Sequence, residues 1–137
     1  MTALLDASVI VAAADRADIN HATAAAWFAA ACEPLAMSAL TLAECDHVLG
    51  RALGPAAADA LLASIVSGAI DAVAPTRADL ERARELRRLA AEPRCSLSDA
   101  VTVAMAERLG AGRVATFDRR PYSILRSVAG SRFALVP

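Results

Sequence analysis

The chain has 137 residues, 57% of them apolar, which is the size of one ordinary domain with enough material for one core. Its formal charge is −1, but residues 1–76 carry 2 arginines against 8 acids and residues 77–137 carry 12 against 7, a split of −6 and +5. All 14 basic residues are arginine, and the absence of lysine excludes any mechanism that needs a lysine nucleophile, a Schiff base or a phosphate-binding P-loop.

Short apolar runs alternate with helical patterns along the whole chain, which predicts an α/β fold with a central, mostly parallel sheet of about four to five strands flanked by helices. Ala3 to Leu5 reads as the first strand, and Asp6 falls where it hands over to a helix through Ser8 to Ala14. Asn20 stands where it would cap a second helix through Cys32, with Trp27 and Phe28 turned toward the sheet or a helical neighbour. Leu35 to Met37, after Pro34, reads as the second strand, and the next helix begins near Thr41 and ends by Gly50 or Gly54. Pro55 opens another helix, in which Leu61, Leu62, Ile65 and Val66 form an apolar stripe. Ile70 to Ala74 is a weak third strand ended by Pro75. Thr76 caps a helix lined on one side by Leu80, Ala83, Leu86 and Ala90 and elsewhere by Arg82, Arg84, Arg87 and Arg88. Ser96 or Ser98 starts a helix that stops at Leu109-Gly110, Arg113 to Thr116 is the fourth strand, and Ala134 to Val136 is a short last one.

In such a sheet the carboxyl ends of the strands and the following helix starts share one edge, where ligands bind. Asp6, Glu44, Asp99 and Asp118 all fall on that edge. Each has a structural explanation taken singly: Thr41-Leu42-Ala43-Glu44 and Ser96-Leu97-Ser98-Asp99 fit capping boxes, Asp6 fits an N-cap and Asp118 a turn. Their joint placement is harder to explain that way, because carboxylates about 5 Å apart repel by roughly 3 kcal/mol per pair at an effective dielectric near 20. A hard divalent cation such as Mg²⁺ or Mn²⁺ removes that conflict.

Leu4-Leu5-Asp6-Ala7-Ser8-Val9-Ile10, Thr41-Leu42-Ala43-Glu44, Leu97-Ser98-Asp99-Ala100 and Ala115-Thr116-Phe117-Asp118-Arg119-Arg120 resemble the successive motifs of PIN domains, particularly those of VapC-type toxins. The likeness spans nearly the whole chain and is most specific from Leu97 through Ala106-Glu107-Arg108-Leu109-Gly110 to Asp118. It implies a single PIN domain over residues 1–137. The implied activity is a metal-dependent endoribonuclease, the toxin of a type II toxin–antitoxin system, with Asp6, Glu44, Asp99 and Asp118 holding Mg²⁺ or Mn²⁺ and with Ser8 and Thr116 supporting them. It also implies a homodimer and a small VapB-type antitoxin that lays a helix across the toxin and carries a charged tail to the metal site. Pro121-Tyr122, after the arginine pair, departs from many relatives in the loop on the substrate side.

Arg119 and Arg120 follow Asp118 at the same edge and are candidate RNA phosphate contacts, joined by arginines between Arg82 and Arg94. His21 and His47 lack metal or nucleophile spacing. Cys32, Cys45 and Cys95 form no C-x-x-C pair and read as small core fillers. The first apolar run, Ala7 to Ala14, ends at Asp15, short of the roughly 20 residues a membrane span needs, and no basic residue precedes it. The expected setting is therefore the cytoplasm. An aspartate-nucleophile phosphatase and a receiver-like phospho-acceptor also gather acids at a sheet edge, but both use lysine. A PIN-like module that binds RNA or protein without cutting it stays open as the alternative. A mean hydropathy of +0.44 and the alanine-rich helices Thr23 to Ala31 and Pro55 to Val66 point to apolar faces covered by a partner.

Overall fold

The computed structural model describes all of residues 1–137. In chain order the elements are β1 (Ala3–Leu5), α1 (Ala7–Ala14), α2 (His21–Ala30), β2 (Leu35–Ser38), α3 (Ala39–Ala52) and α4 (Pro55–Val66). There follow β3 (Asp71–Val73), α5 (Arg77–Ala90), α6 (Leu97–Leu109), β4 (Arg113–Ala115), α7 (Arg119–Ala129) and β5 (Ala134–Val136). The five strands form one sheet in the order β3-β2-β1-β4-β5, and every pairing is parallel. β1 is central, and the connection leaves it to one side through β2 and to the other through β4, so the carboxyl end of β1 is a topological switch point.

Side-chain alternation along each strand divides the core between the two faces of the sheet. Leu4, Ala36 and Val114 face α5, α6 and α7, where they pack with Leu86, Val101, Met105, Tyr122 and Leu125. Leu5, Met37 and Ala115 face the other way, against Val9, Ile10, Leu49 and Leu61 from α1, α3 and α4. α6 is buried on all sides from Asp99 to Ala106, as suits a helix whose sequence there is apolar all round. Gly110 and Gly130 end α6 and α7 at φ +62° and +68°, a left-handed turn that glycine adopts without strain.

Five expectations are corrected. α3 starts at Ala39 rather than near Thr41: Ser38 is its N-cap and accepts the Leu40 N–H at 3.1 Å, so no capping box forms between Thr41 and Glu44. α2 stops at Ala30, and Asn20 precedes it without a side-chain cap bond. On α4 only Leu61 is buried and Ile65 half-buried, while Leu62 and Val66 point outward. On α5 the inward stripe runs through Asp79, Ala83 and Leu86, leaving Leu80 43% exposed, because Asp79 closes a capping box with Thr76 and also receives Arg108. Residues 119–129, given no element and a loop only at Pro121-Tyr122, form α7; Pro121 sits in its first turn, where no backbone donor is needed. Of the cysteines, Cys45 and Cys95 are buried as expected and Cys32 is exposed. Trp27 and Phe28 are half-buried against the α1–α4 side, their rings in edge contact at 5.1 Å between centroids.

Candidate active site at the carboxyl edge of the sheet

Asp6 ends β1 and caps α1, and only 6% of it is exposed. Its Oδ2 accepts the Ser8 hydroxyl at 2.6 Å, the Thr116 hydroxyl at 2.8 Å and the Ser8 backbone N–H at 3.3 Å. Its Oδ1 accepts the Tyr122 hydroxyl at 3.0 Å. The same two small hydroxyls hold the next loop, since Ser8 Oγ accepts the Phe117 N–H and Thr116 Oγ1 accepts the Asp118 N–H, each at 2.9 Å. Each hydroxyl has one proton and spends it on Asp6, so their mutual approach of 3.1 Å is a close contact rather than a further bond. Ser8 and Thr116 thus tie the end of β1 to the segment leaving β4.

Asp99 is 9% exposed and closes a capping box at the start of α6, taking the Ser96 N–H on Oδ2 at 3.0 Å and leaving Oδ1 without a protein donor. Glu44, on the second turn of α3, and Asp118, the N-cap of α7, are exposed and make no capping bonds. Burial pushes the Asp99 carboxyl above its ordinary range against the pull of the Ser96 bonds, and the charges of Asp6 and Asp118 add to the rise. Glu44 is also pushed up, by the protein around its carboxyl and then by Asp6, with the Ser98 hydroxyl acting the other way. Pairwise repulsions therefore run from Glu44 through Asp6 and Asp99 to Asp118. No three of them close into a ready-made metal cage. Two positions are fixed by burial and hydrogen bonds, and two are exposed side chains free to swing. The donor set is wholly carboxylate oxygen, with Oδ1 of both Asp6 and Asp99 still able to accept, and that chemistry fits a hard divalent cation.

Tyr122 stood out in the sequence only as part of the Pro121-Tyr122 departure and not as a site residue. It is fully buried on α7, and burial followed by the charges of Asp6 and Asp99 holds its phenol well above the ordinary value, so it remains a donor. The Thr102 hydroxyl of α6 is buried without a hydrogen-bond partner. Cys45, next to Glu44, is pushed up to about 12 by burial and then by Glu44 and Asp6, which leaves it an inert thiol. His21 pairs with the Ala12 carbonyl at 2.8 Å, and His47 lies exposed away from any nucleophile.

Arg119 and Arg120 are exposed on the first turn of α7, beside the acids; Arg119 donates to the Pro137 carbonyl, and Arg120 comes only within 3.9 Å of Glu92. Arg82 is committed to Glu85 and Glu107, and Arg94 to Glu92, whereas Arg84, Arg87 and Arg88 make no ion pair. The acidic edge is open. None of the surface cavities includes its acids, and the largest, about 530 Å³, lies at the far end beside Met1 and the C-termini of α6 and α7. Enzymes of small molecules enclose their ligands, so an exposed rim suits a polymer better.

An all-parallel sheet with four acids toward the end of its central strand defines an α/β protein whose candidate site is acidic and open. The chain belongs to the PIN domain family, whose family model, described as "PIN domain", matches residues 3–128. It is 28% identical over 134 residues to "Ribonuclease VapC26" of Mycobacterium tuberculosis (strain ATCC 25618 / H37Rv), covering 98% of this chain and 99% of that one. Among solved structures it is similar to VapC20 of Mycobacterium tuberculosis, described as a sarcin-ricin loop cleaving toxin: TM-score 0.81, 25% identity, 88% of this chain and 93% of that one. The fold is shared with VapBC2 of Rickettsia felis, solved bound to a DNA fragment from their promoter, at TM-score 0.72 and 14% identity over 100% of both chains. It is shared too with FitAcB of Neisseria gonorrhoeae, at TM-score 0.71 and 18% identity over 98% and 96%.

Proposed function

We propose that residues 1–137 act as one PIN domain that hydrolyses RNA phosphodiester bonds with Mg²⁺ or Mn²⁺, as the toxin of a toxin–antitoxin pair. The observation that carries this reading is the Asp6 carboxylate, anchored by Ser8, Thr116 and Tyr122 at the end of the central strand and coupled electrostatically to Glu44 and Asp99. The relatives named as a ribonuclease and as a sarcin-ricin loop cleaving toxin support it. Asp6, Glu44, Asp99 and Asp118 would hold the ion. When bound there, a divalent ion supplies positive charge at the scissile phosphate and lowers the pKa of a water at the site.

The chain's own residues leave water as the nucleophile. Cys45 is buried and protonated, the Ser8 and Thr116 protons are committed to Asp6, and there is no lysine. Glu44 and Asp118, both exposed, would orient that water and take its proton. Arg119 and Arg120 stand where they would receive the flanking phosphates.

The proposed partners are a second copy of the chain and a VapB-type antitoxin. In support, an apolar groove of about 250 Å³ runs between α1, α2, α3 and α4, lined by Ile10, Phe28, Leu49, Ala57, Leu61 and Ile70. Ile19, between α1 and α2, and Val66, at the end of α4, are 95% and 82% exposed. No helix is long and apolar enough to cross a membrane, in keeping with action in the cytoplasm. The deciding experiment is to incubate purified protein with total RNA and Mg²⁺ or Mn²⁺ and map new ends. Discrete cleavage that stops on chelation supports the reading; intact RNA, with RNA or protein still bound, leaves a PIN-like binding module instead.

A further inference from the structure

We propose that Tyr122 is a positioning residue for the cation site: its buried hydroxyl occupies one lone pair of Asp6 Oδ1 and so presents the other to the ion. The proposal deepens the metal-dependent reading above and rests on it. A carboxylate offers about four lone-pair sites, two on each oxygen. Oδ2 of Asp6 is fully subscribed by Ser8 Oγ, Thr116 Oγ1 and the Ser8 N–H. Oδ1 accepts one donor only, Tyr122, at 3.0 Å. The single open acceptor position on Asp6 is therefore the second lone pair of Oδ1.

A carboxyl group turns easily about its last torsion. Rotation about Cβ–Cγ moves both oxygens, so the donors on Oδ2 and the phenol on Oδ1 together hold the carboxylate in one orientation. The tyrosine has no exposed surface and belongs to the buried cluster that includes Leu4, Val101, Leu125 and Phe133. It reaches Asp6 from α7, so the position of that helix is passed directly to the centre of the acidic edge.

Tyr122 is the only tyrosine in the chain, so ¹³Cζ-tyrosine labelling of the full-length protein gives one NMR line from this hydroxyl. During a Mg²⁺ titration that line should move saturably along the same isotherm as calorimetric binding. Tyr122→Phe keeps the ring and should bind Mg²⁺ about 10- to 100-fold more weakly, the usual loss when a group supporting a ligand is removed. Its kcat on RNA should fall while KM stays near the parental value. The proposal is overturned if Mg²⁺ binds and RNA is cut while the tyrosine line stays still, or if Tyr122→Phe binds Mg²⁺ with parental affinity. Absence of Mg²⁺ uptake by the parent overturns the metal-dependent reading as well. Should Tyr122→Phe fail to fold, the parental titration alone decides.

Discussion

Asparagine nearly matches aspartate in shape, so Asp6→Asn separates the charge of the residue from its packing. The amide carbonyl would keep the Ser8 and Thr116 donors on the side of Oδ2, and the amide nitrogen would turn toward Tyr122, whose oxygen accepts as well as donates. The fold should therefore survive with a loss of about 1 kcal/mol. Cleavage should fall about 100-fold or more, because the open oxygen is replaced by a donor. Melting curves and initial rates on one RNA check both halves; a variant that cuts at the parental rate would remove Asp6 from the site. Asp6, Ser8 and Thr116 were legible because short motifs at the ends of apolar runs carry them. Glu44 was legible only in part: its apparent capping box with Thr41 does not exist, since Ser38 caps the helix and Thr41 instead meets Ser98 at 3.2 Å. Losing that explanation strengthens the functional one. Tyr122 was illegible for another reason, because its bond to Asp6 spans 116 residues and nothing in its own neighbourhood points there.

At the scale of elements, the chief question is what holds α6 in place, because Asp99 rides on it. Arg108 near its C-terminus reaches Asp79 at the start of α5 through three contacts of 2.8–3.0 Å, and Asp79 is buried. Arg108→Ala would leave that buried carboxylate with only its capping bonds, costing about 2 kcal/mol. The pH dependence follows from the direction of the Asp79 shift. The Arg108 hydrogen bonds hold its carboxyl below the ordinary value, outweighing burial, so the clamp's contribution is complete above that ordinary value and is lost as pH falls through the depressed one. Urea denaturation should show the gap between parent and variant at pH 7 and show it shrinking in strong acid. An equal gap at both pH values would mean that the arginine acts by packing alone. Asp79 also shows why the α5 stripe was misread, since an apolar count favours Leu80 inside and cannot see that a charged residue with two partners takes the inward position. α7 was missed because Arg119-Arg120-Pro121 looks like a turn, although Tyr122, Leu125 and Ala129 keep helical spacing and Gly130 stops it. By contrast, the strands and α6 were readable, their apolar runs bounded by Asp, Pro or Gly.

For the whole molecule, two linkages follow from the gathered charge. An ion that binds only the native state stabilises it by about 1.4 kcal/mol at ten times its Kd, which is about 4 °C in Tm for a chain of this size. Mg²⁺ or Mn²⁺ should give such a rise in a thermal scan, and Asp99→Asn should reduce it; a flat response in the parent would count against a metal site. The second linkage concerns RNA and begins from the excess of arginine in residues 77–137. That excess is not uniformly available, because Arg82, Arg94 and Arg108 are bound to acids of the same chain. Arg119 and Arg120 lie exposed next to Asp118, without an acid closer than 3.9 Å. If they neutralise phosphates, each releases counter-ions on binding, and log K against log salt should lose about 0.7 in slope per contact for a single strand. The double variant Arg119→Ala, Arg120→Ala should thus bind RNA more weakly at low salt and show a slope shallower by about 1.4. Arg82→Ala is the control: it removes a positive charge from residues 77–137, but one already held in internal ion pairs, so it should lower stability and leave the slope unchanged. Filter binding of a single-stranded RNA between low and moderate salt, with metal withheld to prevent cutting, separates the two. Equal slopes for parent and double variant would place the phosphate contacts elsewhere, with the unpaired Arg84, Arg87 and Arg88 of α5 the next to change.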